Sequence, residues 1–332
     1  MANGVAFRDG RDGGVMDIDA IPARRIDRET LRRLSHRSDV RGFAQLAVHG
    51  LLLGATGVMI WVSRGTLWIA PAVVLHGAIL AFLFCPLHEA IHRTAFATRR
   101  INDAVAWMCG ALLILPPGYF RLFHFAHHRH TQDPALDPEL AHARPSSLSA
   151  YLWHVSGLPY WYDRCSVTLR MALTGRVSEP FISIDKNASL VREARALLLL
   201  YLLAAGVSLY FGRAELLIYW VLPIFCGQPL LRMFLLAEHC ACPFNDDMFA
   251  NTRTTYTWRT LRLLTWQMSF HAEHHAFPSV PFHTLAALNA LTRQHLASTS
   301  PGYLALHRAL LVRFAAANAR ASSAPNDSGE QG

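Results

Sequence analysis

The sequence predicts an all-α membrane protein with four transmembrane helices in two hairpins. Three observations carry that prediction. The chain of 332 residues is 52% hydrophobic and only 16% charged, which is apolar for a soluble protein. Residues 42–63 and 65–87 contain no Lys, Arg, Asp or Glu, and each run exceeds the roughly 20 residues needed to cross a bilayer. A second pair of apolar runs comes much later, at residues 196–212 and at 216–231, the latter resuming beyond Arg232 to Ala237.

Taken in chain order, residues 1–40 read as a cytoplasmic N-terminal region, partly disordered. Residues 1–20 are rich in Gly and Asp and lack the apolar stretch of a secretory signal. Arg24, Arg25, Arg28, Arg32, Arg33, Arg37 and Arg41 crowd the approach to the first span, whereas the turn inside each hairpin carries a single Arg, Arg64 or Arg213. The positive-inside rule therefore puts both termini in the cytoplasm. Two hairpins then bring the middle segment, from about residue 86 to 195, and the segment from about residue 238 onward to the same face. Residues 102–120, ending near Pro116 and Pro117, fall short of a comfortable span and read as re-entrant, interfacial or buried against the bundle. Residues 151–173 hold Trp153, Tyr160, Trp161 and Tyr162, rings that favour the headgroup level. Residues 41–312 form one domain on this reading, and residues 313–332 a disordered tail.

A net charge of +8 raises the question of nucleic acid. The Arg excess lies beside the first span and no aromatic-interleaved basic stripe accompanies it, so it reads as membrane-orienting. The six cysteines form no CxxC pair and several sit in or near apolar runs; Cys240 and Cys242 are included among these packing residues.

Chemistry is carried by histidine. His88-Glu-Ala-Ile-His92 follows directly on the second apolar run, and the pattern HxxHH occurs twice, at His124, His127, His128 and at His271, His274, His275. Helical residues three and four apart share a face, so each cluster is expected to aim its rings at one point. One zinc ion takes about four protein ligands; eight converging imidazoles suit two metals. His88 to His92 also satisfies HExxH, the zinc metalloprotease signature with Glu89 as general base, but a protease needs only one further ligand and leaves both HxxHH clusters unexplained. Glu89, Glu238 and Glu273 are expected behind the imidazoles, accepting their free N–H groups. His130, His142, His154, His283, His295 and His307 are not assigned to metal. His49 and His76 lie inside the spans, where they bond across the bundle or face a substrate tunnel.

The order HxxxH, HxxHH, HxxHH, with spans before the first box and between the second and third, resembles the membrane fatty acid desaturase and hydroxylase superfamily. The stretches HFAHHRHTQDPALDPE from His124 and HAEHHAFPSVPFH from His271 are similar to its bacterial members. The resemblance covers about residues 40 to 310. It implies a non-haem di-iron centre held by histidines beneath a cytosolic helical cap, and O2-dependent attack on an unactivated C–H bond, in a bacterial inner membrane with the site facing the cytoplasm. The implied ligands are His88, His92, His124, His127, His128, His271, His274 and His275, with His239 where the family has a ninth. Stearoyl-type members carry an Asn four residues before that ninth histidine; here Leu235 stands there.

A second hydrogen abstraction gives an alkene and oxygen rebound gives an alcohol, so the boxes alone leave desaturase, hydroxylase and carotenoid ketolase open. The resemblance extends to desaturases of amino-acid-like molecules such as the rhizobitoxine precursor, so the substrate is a fatty acyl chain or a small metabolite. No HPGG-type haem motif and no GxGxxG after a strand pattern is present, which implies an external electron donor, a ferredoxin or similar carrier. A transporter is expected to place its histidines at bilayer depth; here they lie beyond the spans.

Overall fold

The computed structural model describes residues 26–323. The first 25 residues, with Arg24 and Arg25, and the last nine of the expected tail lie outside the described part. Within it the regular structure is helical apart from two short strands, β1 (Thr254–Thr255) and β2 (Thr299–Ser300), paired in parallel with Thr254 opposite Thr299.

A short helix α1 (Arg28–Leu34) precedes α2 (Asp39–Val62), which starts where the Ser38 hydroxyl accepts from the Arg41 N–H. After the turn at Arg64 and Gly65, α3 (Ile69–Ala81) and α4 (Phe84–His92) run on as one 24-residue apolar rod. The rod ends at Arg93, whose left-handed φ of 61° stops the helix just past His92. Next come α5 (Arg99–Leu112) and α6 (Pro117–His130), bent by 101° at Pro116. This pair is residues 102–120 and their continuation: a broken span or a re-entrant loop, as the two prolines anticipate.

Two helices follow, α7 (Leu148–Val155) and α8 (Leu158–Thr174), joined at Gly157 with φ +75°. α9 (Asn187–Tyr210) leads through a π-helical turn, Leu217–Val221, into α10 (Leu222–His239). The rest is short: α11 (Met248–Asn251), α12 (Arg259–Leu264), α13 (His271–Ala276), α14 (Phe282–Thr292) and the long closing helix α15 (Tyr303–Ser323).

Among the described residues three helices are long and apolar enough to cross a membrane: Asp39–Val62, Ile69–His92 and Leu217–His239. A fourth arises if the bent pair α5–α6 counts as one span. The expected third span, residues 196–212, lies in α9 up to the helix end at Tyr210; α9 is as long as α2 but carries Arg192, Glu193 and Arg195 in its first turns. Two of those charges work inside the protein, since Glu193 caps α6 and Arg195 donates to the Ala172 carbonyl at 2.9 Å.

The apolar rods are locked by close approach and by histidine. Gly77 of α3 and Gly227 of α10 face each other so tightly that a methyl group on either would overlap backbone of the other helix. His49 of α2 donates from Nε2 to the Ile79 carbonyl at 2.9 Å. His76 binds the Thr56 hydroxyl at 2.7 Å and the Tyr219 carbonyl at 3.1 Å. Both therefore bond across the bundle, the solution open to a polar group that cannot reach water there. A core that includes Leu87, Phe96, Trp266, Leu285 and Leu288, all essentially inaccessible, binds α4, α14 and the loops around them.

Candidate metal centre

Four elements deliver the histidines, and each is fixed at the end that matters. α4 brings His88 and His92, and Arg121 donates to the Ile91 carbonyl at its C-terminus. α6 brings His124, His127 and His128. Its first free N–H groups, on Gly118 and Tyr119, are taken by the Glu193 carboxylate at 2.9 to 3.3 Å, a negative charge at a helix N-terminus. α10 ends on His239. Its last carbonyls are satisfied by Arg253 to Ala237 at 2.6 Å, Arg144 to His239 at 2.7 Å and Gln132 to His239 at 3.0 Å. α13 brings His271, His274 and His275, all buried.

All nine predicted histidines meet, but they do not meet by box. His88, His92, His124, His128 and His274 place one ring nitrogen each within 4.8 Å of the others; His127, His239 and His275 form a second group, and His239 with His271 and Glu238 a third that shares His239. The expectation that each HxxHH aims at one point is therefore corrected. The first and fifth residues of a box pair their Nε2 atoms, His124 with His128 at 2.9 Å and His271 with His275 at 3.1 Å. The fourth residue crosses over: His127 joins His239 at 3.2 Å and His274 joins His128 at 3.2 Å. The reason is angular. At about 100° per residue, positions i+3 and i+4 fall on opposite sides of position i, so one helix can serve two centres. The result is five imidazoles on one side, four and a carboxylate on the other.

The donor set fits metal. Ligands about 2.1 Å from an ion stand about 3.0 Å apart across an octahedral edge and about 3.4 Å across a tetrahedral one, and the Nε2 separations of 2.9 to 3.2 Å match these edges. Both ring nitrogens of His88 and Nε2 of His92 are buried with no hydrogen-bond partner, a cost that a cation removes. Burial also pushes His271 and His275 well below the ordinary histidine range and His274 down to about 3, which keeps them neutral, the form that ligates.

Tautomers are set from behind, by residues that sequence reasoning missed. His127 Nδ1–H donates to Asp137 at 2.9 Å, His239 Nδ1–H to the Asn251 carbonyl at 3.3 Å, and His275 Nδ1 meets the Thr131 hydroxyl at 3.1 Å. Each bond leaves Nε2 free to face inward. Asp137 sits in the stretch that follows the second box, so an acidic residue there was a visible signal. Nothing local marks Asn251. Of the three carboxylates expected in this role, Glu238 stands with Oε2 3.4 Å from His271 Nε2, on the donor side. Glu89 accepts from the Thr94 hydroxyl at 2.8 Å and the Phe282 N–H at 3.3 Å, and Glu273 from Thr254, Asn289 and Thr292. These two tie the helices bearing the boxes to their neighbours. The HExxH reading asks for Glu89 at the open side of a three-ligand metal, whereas its recorded partners are Thr94 and Phe282 and three further imidazoles crowd His88 and His92. Leu235 packs partly buried against the apolar core.

The profile of one family, Fatty acid desaturase, matches residues 65–307, well over half of the chain and all three boxes. The chain belongs to the fatty acid desaturase family. Among its relatives, a sphingolipid delta(4)-desaturase DES1-like protein of Oryza sativa subsp. japonica is 29% identical over 60% of this chain and 56% of its own length. The dihydrorhizobitoxine desaturase of Bradyrhizobium elkanii is 24% identical over 71% of this chain and 70% of its own. The human sphingolipid delta(4)-desaturase/C4-monooxygenase DES2 is also 24% identical, over the same two shares. The chain thus spans little more than half the length of the rice relative.

Proposed function

We propose that this desaturase-family protein is an O2-dependent oxidoreductase that introduces a double bond into an unactivated C–C bond, most simply of a fatty acyl chain, at a di-iron centre held by its nine histidines. The observation that carries the reading is the division of those histidines into two adjoining groups whose Nε2 atoms stand at coordination-edge distances. In the five-membered group His88, His92, His124, His128 and His274 would hold one iron. In the other, His127, His239, His271 and His275 would hold the second, with Glu238 supplying a carboxylate where Leu235 offers no polar atom. A set of nine imidazoles and one carboxylate favours iron over calcium or magnesium, which prefer oxygen ligands. The chemistry that bound iron supplies is activation of O2 and removal of hydrogen from an alkyl carbon.

The protein's own part is positioning and exclusion. Asp137, Asn251 and Thr131 hold three imidazoles in one tautomer, and Gln132, Arg144 and Arg253 fix the end of α10. Burial of every box histidine except the partly exposed His92 and His128 keeps bulk water from the centre. We read the outward Leu199, Leu202, Leu203 and Leu209 of α9 as lipid-facing, which makes α9 the third of four spans in two hairpins. The box face and both termini then lie in the cytoplasm of a bacterial inner membrane, where a ferredoxin or similar carrier delivers electrons. Hydroxylation stays open at the same site, and one relative carries both a desaturase and a monooxygenase in its name.

The test is expression in a lipid-producing host with mass spectrometry of lipids and small metabolites, against a His124→Ala control. Products lacking two hydrogens support desaturation, and products gaining one oxygen support hydroxylation. Unchanged profiles from a protein that purifies with two irons would refute the reading.

A further inference from the structure

Arg232 places a charge inside the candidate span Leu217–His239 with no ion pair at contact distance; Glu139 and Glu238 act on it only through space. Its Nε is buried with no hydrogen-bond partner, no ion pair holds its guanidinium among the described residues, and its recorded neighbour is the Tyr160 ring, 4.2 Å from Cζ. A ring face repays only part of what removing a guanidinium from water costs. An ionisable group inside an apolar helix without a hydrogen-bond partner is a mark of function.

It does not stand alone. Gln228, one turn earlier on α10, is buried with Nε2 unpartnered, and so is Trp161 Nε1 on α8. The two helices are pressed together here: a Cβ on Gly157 would lie 2.6 Å from Gln228 Cγ, and Trp161 lies tilted against Phe225 with ring centroids 4.6 Å apart. The groups left over are all donors, one of them a cation. A buried donor set lacking acceptors is satisfied by an acceptor-only anion, and a planar carboxylate matches a guanidinium best. Gln228, Arg232, Leu235 and His239 also succeed one another at spacings of four, three and four. They share one face of α10, with Arg232 about 10 Å along the axis from the metal-side histidine.

We propose that Arg232, Gln228 and Trp161 seat the carboxylate of the substrate, with its carbon chain running along the Leu235 face of α10 toward His239. The proposal rests on the oxidative reading of the metal centre, to which it adds a substrate class: a molecule with a free carboxylate rather than a neutral head. Both a fatty acid and an amino-acid-like metabolite offer that group.

The experiment measures binding, not turnover, on iron-loaded protein in nanodiscs, using palmitate, methyl palmitate and norleucine as probes. Palmitate or norleucine is expected to bind at least about 10-fold more tightly than methyl palmitate, and which of the two binds identifies the source of the carboxylate. Arg232→Gln should abolish the preference for acid over ester, Arg232→Lys should keep part of it, and Trp161→Phe, which removes one N–H while keeping a ring, should weaken it a few-fold. Iron content equal to wild type establishes that each variant is folded. Equal binding of acid and ester, no binding of either carboxylate, or an unchanged preference in folded Arg232→Gln overturns the proposal. Absence of iron in the wild type would instead overturn the reading of the centre, while the acid-to-ester ratio still reports on the seat.

Discussion

Replacing Asp137 by Asn alters the hydrogen-bond sense of one buried side chain and leaves its volume almost untouched. The carboxylate accepts on both oxygens: Oδ1 from His127 Nδ1–H and from the Glu139 N–H, each at 2.9 Å, and Oδ2 from the Gln132 N–H at 2.9 Å. An amide has one accepting oxygen, so its NH2 must confront a donor whichever way it turns. Facing Gln132, it leaves a buried N–H unpaired at a cost of about 1–3 kcal/mol. Facing His127, it drives the imidazole proton to Nε2, the nitrogen that points at His239. Losing the partner behind a ligating histidine costs about 10–100-fold in metal affinity, or about 1.4–2.8 kcal/mol at 1.4 kcal/mol per tenfold. The assay is iron retention against a chelator series, with total iron measured at each step and circular dichroism reporting the fold. One iron of two is expected to leave at about 10–100-fold lower chelator concentration, because His127 belongs to the four-histidine group and Asp137 bonds to no member of the other. If both irons leave together at the wild-type concentration, the assignment of His127 and Asp137 to a separate half of the centre is wrong.

Three further outcomes follow from other contacts. Glu193→Ala strips the cap from Gly118 and Tyr119 at the start of α6 and should cost about 1–2 kcal/mol, read as a lower melting temperature with looser iron retention; an unchanged melting point would mean water replaces the cap at no cost. Gly227→Ala should prevent the packing of α3 on α10 and leave little folded protein by size exclusion, whereas Gly54→Ala, with nothing within 4 Å of the added methyl, should be neutral or stabilising by up to about 1 kcal/mol. Burial holds His154 and His283 at about 4, while in the unfolded chain they titrate near 6.5. Between those values the unfolded state binds more protons, so stability falls as pH drops from about 6.5 toward 4. The wild-type melting point should decline more steeply from about pH 7 to 5 than that of His283→Gln, and parallel slopes would count against a neutral buried His283.

Local pattern determined much of this protein. Uncharged runs marked the three helices long and apolar enough to cross a membrane to within a few residues, because a helix in lipid is specified by the composition of its own segment. Pro116 and Pro117 marked the bend between α5 and α6. The three boxes named every histidine of the centre but His239, since i, i+3 and i+4 spacing is a property of one helix. Composition was a weaker guide at α9, where the charges that open the helix turned out to serve other elements.

Tertiary structure decided what no single segment contains. His274 and His275 are adjacent in the chain yet belong to different halves of the centre, because the 100° step between them is resolved only when α4, α6 and α10 close around α13. Asp137 behind His127, the Asn251 carbonyl behind His239, and the unpaired donors of Arg232, Gln228 and Trp161 depend in the same way on elements distant in sequence meeting at hydrogen-bond range. The sequence supplied histidines at helical spacing; the fold divided them between two adjoining groups and left the donors of Arg232, Gln228 and Trp161 unpaired.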